Sequence, residues 1–257
     1  MDGILKDKVI VITGGTRGLG KGVAIGALKE GGKVVISGRK EVDGKKVVEE
    51  INQMGYKEIH FVQGEITKVS ECERLIDETI AKFGRIDGLM NYAGILPSAS
   101  LLETDEKLYD DVLEINIRTP FFLCKYAIRE MLKTGSGSIV NICSPHAYSG
   151  DYDRAAYAVS KGALLTLMRH ISRNYRKYQI RANSITMGWV ATDGEMELRR
   201  QQGHDLQWLQ EAAKNAIPMG RLQTVEDHVP GILYLLSDQS SQVTNTELHI
   251  TGGMFHA

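Results

Sequence analysis

"KVIVITGGTRGLG", Lys8–Gly20, joins a short apolar run to a cluster of glycines. The run "KVIVIT" is continuous rather than alternating, as expected of a strand buried on both faces of a parallel sheet. Gly14, Gly18 and Gly20 follow directly, ahead of a stretch of helical period. A glycine-rich turn there lets backbone approach a pyrophosphate, which the N–H groups and dipole of the following helix stabilise. The spacing is G-x-x-x-G-x-G rather than G-x-G-x-x-G, so the strand before and the helix after carry much of the reading.

Working outward, the same unit recurs. Further strand candidates are Lys33–Ser37, Ile59–Gln63, Gly88–Asn91, Ser138–Ile142, Arg181–Thr186 and Glu247–Ile250. Between them Val47, Ile51 and Met54 form one apolar helical face, and Cys72, Leu75, Ile76, Ile80 and Phe83 another. Repeated strand–helix–strand units predict an α/β, doubly wound parallel sheet of about seven strands, with helices on both faces and right-handed crossovers. No linker or low-complexity tract interrupts residues 1–257, which predicts a single dinucleotide-binding and catalytic domain. Only the polar segment 193–218 breaks the alternation; lying after the sixth strand, it is expected at the ligand-binding edge as a substrate lid.

Charge and cysteine usage narrow the class. Lys plus Arg number 31 against 32 acidic residues, a balance that disfavours nucleic acid or an anionic membrane as partner. No apolar run approaches the roughly 20 residues of a membrane span, and the N-terminus lacks the pattern of a signal peptide. The three cysteines, Cys72, Cys124 and Cys143, are odd in number and far apart, so neither a disulfide framework nor a metal site is expected. A soluble, cytoplasmic protein without a metal follows.

The end of the second strand addresses which dinucleotide. An NAD site places an acidic residue there for the ribose 2′-hydroxyl; this chain reads "SGRK", Ser37 to Lys40. A guanidinium binds a 2′-phosphate through charge-assisted hydrogen bonds, so Arg39, with Arg17 from the glycine turn, predicts NADP(H).

Chemistry is signalled by "AAYAVSKGAL", Ala155–Leu164. On a helix Tyr157 and Lys161 lie one turn apart on a shared face. A free phenol titrates near pH 10, and an adjacent ammonium favours its ionised form. Upstream, the strand "SIVNI" runs into Cys143-Ser144, placing a hydroxyl at the same carboxyl edge.

With "NYAG" (Asn91–Gly94), "EINIRT" (Glu114–Thr119), "MGWVAT" (Met187–Thr192) and "ITGG" (Ile250–Gly253) added, the chain resembles the short-chain dehydrogenase/reductase family over essentially its whole length. The resemblance implies a single-domain Rossmann-type oxidoreductase moving hydride between NADP(H) and a secondary alcohol or ketone. It implies Tyr157 as general acid/base, Lys161 beside it on the nicotinamide ribose, Ser144 on the substrate oxygen and Asn116 on a relay water. Around the cofactor it implies Gly14, Thr16, Arg17, Gly18, Leu19, Gly20, Ser37, Arg39, Glu65, Ile66, Asn91, Ala93, Gly94, Tyr157, Lys161, Gly188, Val190 and Thr192. It also implies a homo-oligomer, tetramer or dimer. Three positions depart from the family pattern: Tyr92 replaces an asparagine, Glu65 an aspartate and Met187 a proline.

The loop "PHAYSGDYDRA" after Ser144 predicts one substrate wall, with His146, Tyr148 and Tyr152, and Trp189 with the lid predicts the other. Such walls suit a polyol, a cyclic ketone or a hydroxysteroid. Two other readings compete: a non-catalytic, redox-responsive NADP(H)-binding regulator, and an epimerase or dehydratase using the cofactor transiently. The complete Ser-Tyr-Lys set weighs against the first, and the chain's length against the second.

Overall fold

The structure is a computed structural model and describes residues 3–149 and 152–254. Seven strands carry the frame: β1 (Val9–Thr13), β2 (Lys33–Gly38), β3 (Ile59–Gln63), β4 (Gly88–Asn91), β5 (Gly137–Cys143), β6 (Ile180–Met187) and β7 (Glu247–Ile250). They form one sheet in the order β3-β2-β1-β4-β5-β6-β7, and every pairing is parallel. The helices are α1 (Gly18–Lys29), α2 (Glu41–Gln53), α3 (Val69–Phe83), α4 (Glu106–Leu113), α5 (Thr119–Thr134), α6 (Ala155–Tyr175), α7 (Asp193–Gln201), α8 (Leu206–Ala216) and α9 (Val225–Leu236). All seven strand candidates correspond to observed strands, with ends differing by at most one residue.

The continuous apolar reading of β1 has a direct cause, since all five of its residues are buried. Ile10 and Ile12, with Val34 and Ile36 of β2, pack into a core with Leu19 and Val23 of α1 and Ile232 and Leu236 of α9. Val11 and Val35 point the other way, into a core with Leu75 of α3 and Leu123 and Ala127 of α5. Helices on both faces leave the central strands no polar side. The strand order switches between β1 and β4: β2 and β3 extend the sheet on one side and β4 to β7 on the other. Ligands bind at that switch point, outside the carboxyl ends of the strands.

One helical face differs from expectation. Val47 and Ile51 are buried, but Met54 is 54% exposed, because α2 ends at Gln53 and Met54 is its C-cap. The segment 193–218 folds as α7 and α8 over a small separate core of Leu209, Ala213, Ile217 and Leu222.

Candidate active site

The glycine turn is built by backbone. Gly14 and Gly18 have φ of 68° and 51°, in the left-handed region that favours glycine. A β-carbon on Gly20 would lie 2.4 Å from the Gly14 carbonyl oxygen, so no other residue fits there without opening the turn. The N-cap residue Arg17 makes no side-chain capping bond to α1, whose first N–H groups lack intrahelical partners. Beside it Thr16 packs on the end of β2: a β-carbon on Gly38 would come 2.8 Å from its methyl. Ser37, paired with Thr13 in register, has a buried hydroxyl without a hydrogen-bond partner. Arg17, Arg39 and Lys40 are exposed at this edge.

The neighbouring strand end is pinned to it. Thr13 Oγ1 accepts from the N–H groups of Tyr92 (3.0 Å) and Ala93 (3.1 Å). Asn91 is committed to the sheet, its Nδ2 donating to Asn141 Oδ1 of β5 at 2.7 Å. The Ile66 carbonyl accepts from Thr119 Oγ1 at 3.0 Å, and Glu65 accepts from Thr67 at 3.4 Å.

The second group gathers at the end of β5. Ser144 is 6% exposed, and its Oγ accepts from the His146 N–H at 3.3 Å, which leaves its O–H to donate elsewhere. The His146 and Tyr157 rings meet edge-on, 5.7 Å between centroids. Lys161, 7% exposed, places Nζ 5.5 Å from the centroid of the Tyr157 ring and donates to the Ile142 carbonyl at 2.8 Å. An ammonium has three donors, so this bond fixes Lys161 without exhausting it. Burial pushes the neighbouring Cys143 thiol up to about 11, against the pull of Lys161. Cys72 and Cys124 are pushed up by burial to about 12, and all three cysteines are free.

Asn116 sits in a π-helical turn, Glu114–Arg118, between α4 and α5. Such turns are frequent at functional sites. Its Nδ2 donates to the Ile95 carbonyl (2.9 Å) and to Ser160 Oγ (3.1 Å), while its Oδ1 accepts from the Ile95 N–H (2.9 Å). Ser160 Oγ donates in turn to the Tyr157 carbonyl at 2.7 Å. Both N–H donors of the amide are therefore spent.

The third group follows β6. Gly188 donates to the Ile250 carbonyl at 3.0 Å; a β-carbon on it would lie 2.6 Å from Gln223 Oε1. Val190 is buried and bridges to Gln223. Thr192 accepts the Glu195 N–H at 3.2 Å, starting α7. Trp189 Nε1 donates to Glu195 Oε1 at 2.7 Å, and the Arg199 guanidinium lies 5.3 Å from the indole ring. The indole thus packs against the small core of Leu209, Ala213, Ile217 and Leu222. Tyr152 is 81% exposed, while Tyr148 meets His249 at 6.2 Å. Gly150 and Asp151 of the predicted substrate wall lie outside the described residues.

Sequence reasoning missed Thr13, Ser160, Glu195 and Gln223. Two of them left a signal: Ser160 stands inside "YAVSK", and Glu195 is four residues before Arg199, a helical ion-pair spacing.

A doubly wound parallel sheet with a glycine turn at its switch point is a nucleotide-binding architecture. The family model described as short chain dehydrogenase matches residues 8–203. An uncharacterized oxidoreductase of Thermotoga maritima is 37% identical over 246 residues, covering 96% of both chains. The 2-dehydro-3-deoxy-D-gluconate 5-dehydrogenase of Dickeya dadantii is 30% identical, covering 97% of this chain and 96% of its own. A crystal structure of a short-chain type dehydrogenase/reductase from Mycobacterium marinum superposes with a TM-score of 0.89 at 25% identity, covering 97% of this chain and 96% of that one. The chain belongs to the short-chain dehydrogenase family. It is accordingly an oxidoreductase of CH–OH groups with a nicotinamide cofactor. No helix among the described residues is long and apolar enough to cross a membrane.

Proposed function

We propose that this protein transfers hydride between NADP(H) and a secondary alcohol or ketone of the polyol, cyclic ketone or hydroxysteroid type. The observation that carries the reading is the clustering of Ser144, Tyr157 and Lys161 at the carboxyl end of β5, beside the switch point. The start of α1, without a capping bond from Arg17, the crowded turn at Gly20 and the orphaned Ser37 hydroxyl fit a dinucleotide. In this reading Gly14, Thr16, Gly18, Leu19 and Gly20 take the pyrophosphate, and Arg17 and Arg39 the 2′-phosphate. Ser37, Glu65, Ile66, Asn91, Ala93 and Gly94 line the adenosine side, and Gly188, Val190 and Thr192 the nicotinamide side.

When bound, the nicotinamide supplies or accepts the hydride. Tyr157 handles the accompanying proton: its hydroxyl protonates the carbonyl oxygen in reduction and takes that proton back in oxidation. Ser144 directs its free O–H at the same oxygen, since His146 occupies one of its lone pairs. Lys161 keeps donors for the ribose hydroxyls and puts its positive charge beside the phenol. With the Asn116 amide spent, the relay water falls to the remaining Oδ1 lone pair or the backbone carbonyl of Asn116. His146 and Trp189 stand at the two substrate walls, with 193–218 as the lid. The Dickeya relative named above for a sugar acid lends weight to the polyol class.

We further place the protein in the cytoplasm as a homo-oligomer, tetramer or dimer. Exposed Tyr109, Phe121 and Val159 on α4, α5 and α6 (44%, 52% and 58%) support this, and sedimentation velocity tests it. For the activity, initial rates of NADP⁺ and NAD⁺ reduction are measured over sugar acids, polyols, cyclic alcohols and hydroxysteroids, with Tyr157→Phe alongside. Turnover that vanishes in the mutant supports the assignment. Tight NADPH binding without turnover of any alcohol would favour the regulator reading instead.

A further inference from the structure

Tyr92 does something its place in "NYAG" does not announce. It follows β4 directly, and the bond from its N–H to Thr13 fixes where the side chain starts. The ring lies against the glycine turn: a β-carbon on Gly14 would be 3.4 Å from Tyr92 Cδ1. A β-carbon on Gly18 would be 3.6 Å from the Tyr92 hydroxyl oxygen and equally 3.6 Å from Thr192 Cβ and Cγ2. The phenol therefore reaches across the crevice from the end of β4 to the start of α1, facing Thr192 on the far side.

That hydroxyl lies beside Gly18, the first residue of α1. Burial raises the Tyr92 phenol above its ordinary range; charge on Arg17 and the backbone N–H of Leu19 act on its oxygen in the opposite sense. Leu19 is the second residue of α1, and its N–H is among the donors a helix start offers to an anion. The ring packs against the core beneath the turn, as does Met187.

We propose that the Tyr92 hydroxyl holds the phosphate seat of the glycine turn in the ligand-free protein, so that an arriving dinucleotide must displace it. The proposal rests on the dinucleotide reading above and concerns affinity alone. A phosphate oxygen is the stronger acceptor for a backbone N–H, so the exchange proceeds, at the cost of the phenol's contact. Tyr92 is in this sense a determinant of cofactor affinity.

The test titrates NADPH and NADH fluorescence against wild type and Tyr92→Phe, with stopped-flow association and the melting midpoint of each ligand-free protein. The phenylalanine keeps the ring packing and removes only the competing oxygen. Tightening of about fivefold for both dinucleotides, with faster association and a midpoint within a few degrees of wild type, is expected. Unchanged or weaker binding by a folded Tyr92→Phe protein would overturn the proposal and make the phenol a phosphate ligand or a packing residue. Wild type that binds neither dinucleotide would remove the cofactor seat itself, and the proposal with it.

Discussion

Along β1 and the start of α1 the crevice is shaped by backbone: positive-φ glycines, a carbonyl that excludes any β-carbon at Gly20 and a helix start whose N-cap residue makes no side-chain capping bond. From β5 to α8 it is shaped by side chains: the Ser144–Tyr157–Lys161 cluster, the Asn116–Ser160 bonds and the Trp189–Glu195–Arg199 clamp. The supporting cores differ as well. The glycine turn rests on the extended core under the central sheet, α7 and α8 on a small core centred on Leu209 and Ala213. A wall made of backbone recognises what every member of a fold must bind, while a wall made of side chains can be changed one residue at a time.

The sharpest way to separate the two walls is Tyr157→Phe. Loss of the proton donor is expected to lower kcat by about a thousandfold, while dinucleotide dissociation constants from fluorescence titration stay within about twofold. A parallel loss of affinity would mean that the walls are not independent. Next in size, Gly20→Ala forces the turn apart. Dinucleotide affinity should fall by more than about tenfold, with roughly 1–3 kcal/mol of stability lost to strain, read by isothermal titration and urea unfolding.

Arg39→Asp probes the edge of the backbone wall. NADPH affinity should drop by about ten- to a hundredfold while NADH is held as well or better, because one charge-assisted contact becomes a repulsion. Unchanged preference would remove Arg39 from cofactor choice. On the side-chain wall, Leu209→Ala empties a position that is 0% exposed. Roughly 2–3 kcal/mol is expected to be lost locally, seen as faster amide exchange over Leu206–Ala216 with β1 unaffected. Acceleration reaching β1 would join lid and sheet into one cooperative unit.

The smallest effect is a pH dependence in the core shared by α1 and α9. His228 is fully buried in α9, and burial lowers its pKa below 6.5. The unfolded chain therefore binds a proton that the folded one refuses, so stability falls as pH drops below about 6.5 and levels off under the depressed folded value. Urea unfolding at pH 7.5, 6 and 5 should show this slope, and His228→Leu should reduce it.

Legibility in the sequence follows the same division. β1 and the glycine turn could be read because a strand buried on both faces has no polar residues to alternate, and because the turn's geometry demands glycine. Tyr157 and Lys161 could be read because helical spacing alone brings them together. The π-helical turn around Asn116 could not: it needs the Ile95 loop and Ser160, remote in sequence, to receive the Asn116 amide. Trp189 reads as a pocket aromatic, and only the fold shows its indole N–H taken by Glu195. Met54 continued the period of its helix, but α2 ends one residue too soon. Tyr92 was visible as a departure, while its reach to Gly18 depends on how the ends of β4 and β1 are held together by Thr13.

The strand order β3-β2-β1-β4-β5-β6-β7 also bears on how a ribosome delivers this chain. β1 emerges first, β2 joins one side of it and β3 the outside of β2; β4 then takes β1's other side, and β5, β6 and β7 follow outward in turn. Each strand arrives at a free edge, and none has to be threaded between two already paired. Vectorial synthesis, in which N-terminal parts fold first, can therefore assemble the sheet by accretion, completing the glycine turn before α7 and α8 have been translated.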